Sequence, residues 1–537
     1  MAVIFIAARA EGVPRSVPII YAILLTTLLG GPRLLYRWAK DQHLYQKASQ
    51  RVLVVGAGNA GEMLARDMLR NNTDFYIPAA FIDDDKSRIG REIQGIPIVG
   101  NTSEIPKIVD QFDIDIIMLA IPSASSMQMR RIVEICETTN RPFRSVPQLK
   151  DLMSGNVQIN EVRVVSIEDL LGRDPVSLDW AAICNSLSEK NVLVTGGGGS
   201  IGSELCRQIA KLNPTRLIII ENSEYNLYTI EMELWKVYPD LELECHLGDV
   251  TDFPFVEDVF LRHKPDVVFH AAAYKHVPML EPQIRQALRN NVLGTRTVAE
   301  AADRHASGVF VLVSTDKAVN PANVMGASKR AAEIFCQNLN RHSKTQFITV
   351  RFGNVLDSAG SVIPLFRKQI EAGGPVTVTD SRMERYFMTI PEACQLIMQT
   401  VVLGKGGEIF VLDMGDPVKI SYLAEQMIRL SGRIPGEDIK IEYVGLRPGE
   451  KLYEELFHEK EQLEQTSHDK VFLARHRKVD WTKLNQTLDQ MAEACNEMDS
   501  EKLGRLLDEL VPEHLDTVGK SPAQPSSADV VYLKPGS

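Results

Sequence analysis

No two cysteines in this 537-residue chain stand in a CxxC spacing, and no histidine falls at ligand distance from them in sequence. This excludes a disulfide framework and a structural zinc site as readings of Cys136, Cys184, Cys206, Cys245, Cys336, Cys394 and Cys495, and points to reduced thiols in a cytosolic setting. Basic residues are also in short supply. With 59 Lys and Arg against 70 Asp and Glu, the formal charge is −11, which excludes a general affinity for nucleic acid. Long apolar runs are nearly absent. The exception is an uncharged stretch between Arg15 and Arg33, containing Ile19, Ile20, Ile23, Leu24, Leu25, Leu28 and Leu29, at the lower limit for a spanning helix. Arg33, Arg37, Lys40, Lys47 and Arg51 follow it, so positive-inside reasoning places the rest of the chain in the cytoplasm, at the inner (cytoplasmic) membrane. What the chain does have is 44% hydrophobic and 24% charged residues, enough for two or three domains with full-sized cores.

After residue 50 the pattern becomes short apolar runs alternating with amphipathic stretches, the signature of parallel sheets covered by helices on both faces. It occurs twice. The expected fold is therefore α/β, with two Rossmann-like doubly wound domains after a short N-terminal membrane segment. Residues 1–50 form a partial membrane region with a candidate helix at 16–32, 51–175 a first Rossmann-like domain and 176–480 a second, and 481–537 a helical segment with a Pro/Ser-rich tail. The first domain opens with a strand ending at Val55 and a turn carrying Gly56, Gly58 and Gly61, and Asp83 lies at the end of a following strand. No catalytic constellation accompanies that loop, so its ligand stays open.

The second glycine loop is richer. The strand Asn191 to Thr195 leads into Gly196, Gly199 and Gly202 and then a helix, where free amide groups and the helix dipole stabilise a pyrophosphate. The next strand ends in Glu221, placed to accept hydrogen bonds from an adenosine ribose. No arginine follows it to receive a 2′-phosphate, so the expected cofactor is NAD. Asp249 and Val250 are placed at the adenine, and Ala271 and Ala272 are small enough for close cofactor approach. His270 and His276 lack a third donor, and no metal is expected there.

The strand Val309 to Val313 delivers Ser314-Thr315-Asp316-Lys317 at its carboxyl end, where open parallel sheets bind ligands. Met325 and Lys329 follow, four apart and so on one helical face. From Asn191 to about Phe457 the chain resembles an extended short-chain dehydrogenase/reductase. Within that superfamily it is similar to the membrane-associated nucleotide-sugar 4,6-dehydratases of polysaccharide biosynthesis. The resemblance rests on TGGGGSIGSEL, HAAAYKHVP, NNVLGT, STDKAVNP, MGASKR, RFGNVL and LRPGEKLYEEL. Most short-chain dehydrogenases carry Tyr where this chain has Met325, and the dehydratase branch itself carries Met there.

The resemblance implies NAD-dependent 4,6-dehydration of a UDP-N-acetylhexosamine, foremost UDP-N-acetylglucosamine, to a 4-keto-6-deoxy sugar. It adds Ser200 and Ile201 to the cofactor loop and Lys275, Asn354, Arg447 and Glu450 to the substrate site, with Arg382 to Tyr386 as a weaker candidate. It implies that Thr315 holds the 4-oxygen, Asp316 protonates the departing 6-hydroxyl, Lys317 removes the carbon 5 proton and Lys329 holds the nicotinamide ribose. A lysine base must be neutral. Burial favours that form and the adjacent carboxylate opposes it, and the residues alone leave both outcomes open. A 4-epimerase and a membrane-tethered NAD-binding scaffold are the alternative functions, and a homo-oligomer is expected.

Overall fold

The computed structural model describes residues 50–70, 76–139, 141–145, 163–164, 178–456, 464–474 and 479–514, with Leu24 alone before them. The candidate membrane helix 16–32 and the tail beyond residue 514 lie outside the described residues. Among the described residues, no helix is long and apolar enough to cross a membrane. The chain divides into two compact units, Met1–Val165 and Ser166–Ser537.

In the first unit, β1 (Gln50–Val55) enters a turn and then helix α1 (Asn59–Arg70), followed by β2 (Tyr76–Ile82), β3 (Glu92–Ile93), β4 (Ile96–Gly100), β5 (Ile116–Leu119), β6 (Phe143–Ser145) and β7 (Arg163–Val164). Strands Val52 to Val55 and Ile116 to Leu119 are buried throughout, as apolar runs must be when helices cover both sheet faces. The order is β3-β4-β2-β1-β5-β6-β7, with β1 parallel to both β2 and β5.

The second unit is built on β8 (Asn191–Thr195), β9 (Arg216–Glu221), β10 (Leu243–Leu247), β11 (Val267–His270), β12 (Val309–Val313), β13 (Gln346–Arg351), β14 (Ile409–Leu412), β15 (Glu464–Gln465) and β16 (Val471–Ala474). They form one nine-stranded sheet in the order β10-β9-β8-β11-β12-β13-β14-β16-β15. The strands from β10 to β14 pair in parallel, β16 follows antiparallel to β14, and β15 forms the edge antiparallel to β16. The order reverses between β8 and β11, the crevice where doubly wound sheets take their ligands.

Helix α2 (Val324–Leu339) starts where Asn323 accepts a hydrogen bond from the Gly326 amide, and all of its residues are buried. Its outer face packs against α3 (Trp481–Glu497) and α4 (Ser500–Leu510), whose Leu484, Leu488, Met491, Leu503 and Leu507 share one core with Ala331, Phe335 and Leu339. The segment read from sequence as a region apart thus supplies part of the second unit's core. Its helices have apolar stripes, and a stripe requires a partner face.

Candidate active site

At the reversal point Gly196 adopts φ +66, and a Cβ there would meet the Ala272 Cα at 2.8 Å. Gly202 is tighter: a Cβ would stand 2.0 Å from the Gly196 carbonyl oxygen. These contacts keep the strand, turn and helix in one cradle, with the helix Ser200–Ala210 opening onto it. The Glu221 carboxylate is buried beside the loop, where Oε2 accepts from the Gly198 amide at 2.9 Å and Oε1 from the Ser223 amide at 3.0 Å. Each oxygen keeps a further lone pair for a ribose hydroxyl.

A cleft of about 920 Å³ opens beside this loop. Gly196, Gly199, Ser200, Ile201, Gly202, Ala271 and Lys329 from the expected cofactor set line it, with Thr315, Lys317 and Met325 and all four expected substrate residues, Lys275, Asn354, Arg447 and Glu450. Glu221, Asp249, Val250 and Ala272 do not line it. Asp249 is held in a local turn, its Oδ1 accepting from the Thr251 amide. Arg382 is exposed and paired with Asp380, so from its segment Met383, Arg385 and Phe387 reach the cleft instead.

Three groups converge on the ammonium of Lys317. Asp316 Oδ1 lies 3.0 Å from Nζ, Asn354 Oδ1 3.2 Å and Glu454 Oε1 3.5 Å. Burial favours the neutral amine, but Asp316 and Glu454 together outweigh it, so the Lys317 pKa stands above its ordinary value. The resting lysine is charged. Asp316 is buried. Its Oδ1 also accepts from the Thr315 hydroxyl at 2.9 Å, while its Oδ2 accepts no hydrogen bond from the described residues. The Thr315 hydroxyl, expected on the sugar 4-oxygen, here faces the stronger acceptor within reach.

Lys329 donates to the Val313 carbonyl at 2.7 Å, and burial, opposed by Glu333, lowers its pKa to about 8. One helical turn on, Glu333 is fully buried and takes Arg351 at 2.7 and 2.9 Å and the Ser314 hydroxyl at 2.6 Å. Burial would favour the acid form, yet Arg351, then Arg330 and Ser314, hold its pKa at about 2. This pair ties α2 to β12 and β13 under the cleft. Met325 packs among Val277, Leu280 and Val324 and has no group to ionise where a tyrosine would. His270 is held between the Thr195 and Thr295 hydroxyls at 2.7 and 3.0 Å, and burial pushes its pKa down to about 3. It is a neutral brace.

Sequence reasoning missed Glu454 and Glu333 as site residues, while Arg385 lay within the weaker candidate Arg382 to Tyr386. Glu454 stands in the LYEEL stretch and Glu333 one turn beyond Lys329, but neither position announces a partner until the fold brings Lys317 and Arg351 to it.

A family model described as polysaccharide biosynthesis protein matches residues 192–476, more than half of the chain. The chain belongs to this polysaccharide biosynthesis family. Among relatives of this family member, the capsular polysaccharide biosynthesis protein CapD of Staphylococcus aureus is 48% identical over 452 residues, 83% of this chain and 75% of that protein. A UDP-glucose 4-epimerase of Rickettsia canadensis is 34% identical over 275 residues, 50% of this chain and 77% of that one. The X-ray structure of Pen from Bacillus thuringiensis, at 33% identity, covers 55% of this chain and 90% of its own with a TM-score of 0.50. In the family member's first unit, a model described as CoA-binding domain matches residues 1–147.

Proposed function

We propose that this member of the polysaccharide biosynthesis family is an NAD-dependent lyase that removes water from a UDP-N-acetylhexosamine, foremost UDP-N-acetylglucosamine, to give the 4-keto-6-deoxy sugar nucleotide. The observation that carries the reading is the Asp316–Lys317 pair, one carboxylate oxygen tied and the other unpartnered, beside a buried methionine where a tyrosine base would otherwise stand. The loop Gly196 to Gly202, too tight for a Cβ, and the Glu221 carboxylate fit a dinucleotide. When bound, NAD supplies the electron sink for carbon 4 and returns the electrons at carbon 6.

The chain's own groups carry the elimination of water. Passing one proton along the 3.0 Å contact converts the resting ammonium and carboxylate into an amine beside a carboxylic acid, with no change in net charge. In that form Lys317 accepts the carbon 5 proton while Asp316 protonates the departing 6-hydroxyl, and the resting pair is restored as water leaves. Glu454 and Asn354 hold the lysine in line, and Arg447 offers a two-pronged donor for the diphosphate.

The test is incubation with UDP-N-acetylglucosamine and catalytic NAD. Loss of one water without accumulation of NADH supports the dehydratase. A new isomer of unchanged mass instead supports the second reading, a 4-epimerase, which the Rickettsia relative favours. No change in mass or isomer is the outcome expected of a scaffold. Attachment to the inner membrane through residues 16–32 and assembly as a homo-oligomer rest on the sequence reading. Membrane fractionation and light scattering of the detergent-extracted protein test them.

A further inference from the structure

Sequence reading found no third donor for His270 or His276, but the fold assembles a different trio. Glu244 and His246 lie two apart on the edge strand β10, hence on one face, and His263 is the last residue of the helix Phe253–His263. Cys245, between the first two, points the other way into the core beside Leu217 and Ile219. The Nε2 atoms of His246 and His263 approach to 2.9 Å, and one ring nitrogen of each histidine and a Glu244 carboxylate oxygen all lie within 4.8 Å of one another. A contact between two ring nitrogens needs one N–H and one free lone pair, so at least one imidazole is in the neutral, ligating form.

The charges around the trio are unevenly settled. Glu242 pairs with Arg216 and Asp258 with Arg262, whereas Glu244 makes no ion pair with a lysine or arginine among the described residues. His270 and His305 show the ordinary alternative: the first is clasped by two threonines and the second by Glu257. Glu244 and His246 are half-buried at the sheet edge, His263 is buried behind them, and none of the three lines the cleft.

We propose that Glu244, His246 and His263 bind a borderline first-row divalent cation of the Zn²⁺ class, with a fourth position open to water, as a brace between β10 and the end of the helix Phe253–His263. Two imidazoles and one carboxylate are donors that Zn²⁺ accepts, while Mg²⁺ and Ca²⁺ favour oxygen alone. With bonds of about 2.0–2.2 Å, tetrahedral donors stand roughly 3.3 Å apart, so the two nitrogens must part by a few tenths of an ångström and the carboxylate close in by side-chain rotation.

The experiment uses the full chain without a histidine tag, stripped with chelator, and titrates Zn²⁺ alone by calorimetry and Co²⁺ alone by visible absorption. One equivalent is expected, with the intense absorption of tetrahedral Co²⁺ and a rise in melting temperature on Zn²⁺ addition. His246→Asn and His263→Asn should each lose that equivalent, and Glu244→Gln should weaken it at least ~10-fold, the scale on which even outer partners of a metal act. Absence of binding, or an equivalent retained by both histidine variants, overturns the proposal. If those variants fail to fold, the half-buried Glu244→Gln decides: unchanged Zn²⁺ affinity overturns it.

Discussion

In the first unit a Cβ on Gly61 would stand 2.0 Å from the Gly56 carbonyl oxygen, and in the second a Cβ on Gly202 would stand 2.0 Å from that of Gly196. The resemblance continues outward. Asp83 accepts from the Ala57 amide as Glu221 does from Gly198, and each loop's first glycine presses on the residues that follow the neighbouring strand, Ala120 in one unit and Ala272 in the other. The units part company one strand further. After β6 the chain reads Val146-Pro147-Gln148, with nothing to ionise, whereas β12 delivers Thr315-Asp316-Lys317. The segment after β2 also brings Arg88 to the first loop, where it pairs with Asp83 at 3.1 Å and lies 3.7 Å from the place of a Gly58 Cβ. A glycine loop is thus a means of approaching phosphate, and reaction chemistry comes from what later strands bring to it.

The sharpest way to break this contrast is Lys317→Ala. Turnover should fall by ~10²–10⁴-fold with NAD and substrate still bound, as measured by product formation and calorimetry, because the group lost is the proposed base. Near-full activity would place the base elsewhere. Next in size is Glu333→Gln, which leaves Arg351 buried with its charge partner gone and should destabilise the second unit by about 3–5 kcal/mol. Denaturant unfolding followed separately for the two units should show the first unmoved.

A smaller effect separates the two loop acids. Glu221→Ala should weaken NAD binding by about 1.5–3 kcal/mol through lost charge-assisted hydrogen bonds, while Asp83→Ala should leave NAD affinity and turnover unchanged. Equal losses would mean that both loops serve one cofactor. The smallest is a shift in pH dependence. Glu454→Gln removes one of the carboxylates that raise the Lys317 pKa, and Arg385 stays in place through the Glu384, Lys451 and Leu452 carbonyls. The ammonium then loses its proton to solvent at lower pH, and the pair must keep one proton to share, so the basic limb of the kcat profile should move to lower pH. A limb that stays put or moves up would show that Glu454 does not set the charge of Lys317.

The elements most readable in the sequence were those written in one short stretch. The second glycine loop, the strands Val267–His270 and Val309–Val313, and the run Ser314 to Lys329 need only period and spacing, and the fold places them together. The charge state of Lys317 was not readable, since it depends on Glu454, which arrives from a loop far along the chain with no periodicity to mark its direction. The helices beyond Val479 were visible as helices, but an apolar stripe does not name its partner.

That partner is the helix bearing Met325 and Lys329. Trp481 stacks on Phe335, Arg285 donates to the Cys495 carbonyl at 2.6 Å, and the Val479 amide reaches Asn338. The outer wall of the active-site helix is therefore built from residues that leave the ribosome after every proposed catalytic group. A nascent chain that already contains every proposed catalytic group still exposes Ala331, Phe335 and Leu339 until Leu507 emerges. At roughly 5–20 residues per second, that interval lasts on the order of tens of seconds. Throughout it the growing chain presents a bare apolar helix face, which makes synthesis through Leu507 a condition for a settled active site and gives chaperones a defined surface to shield.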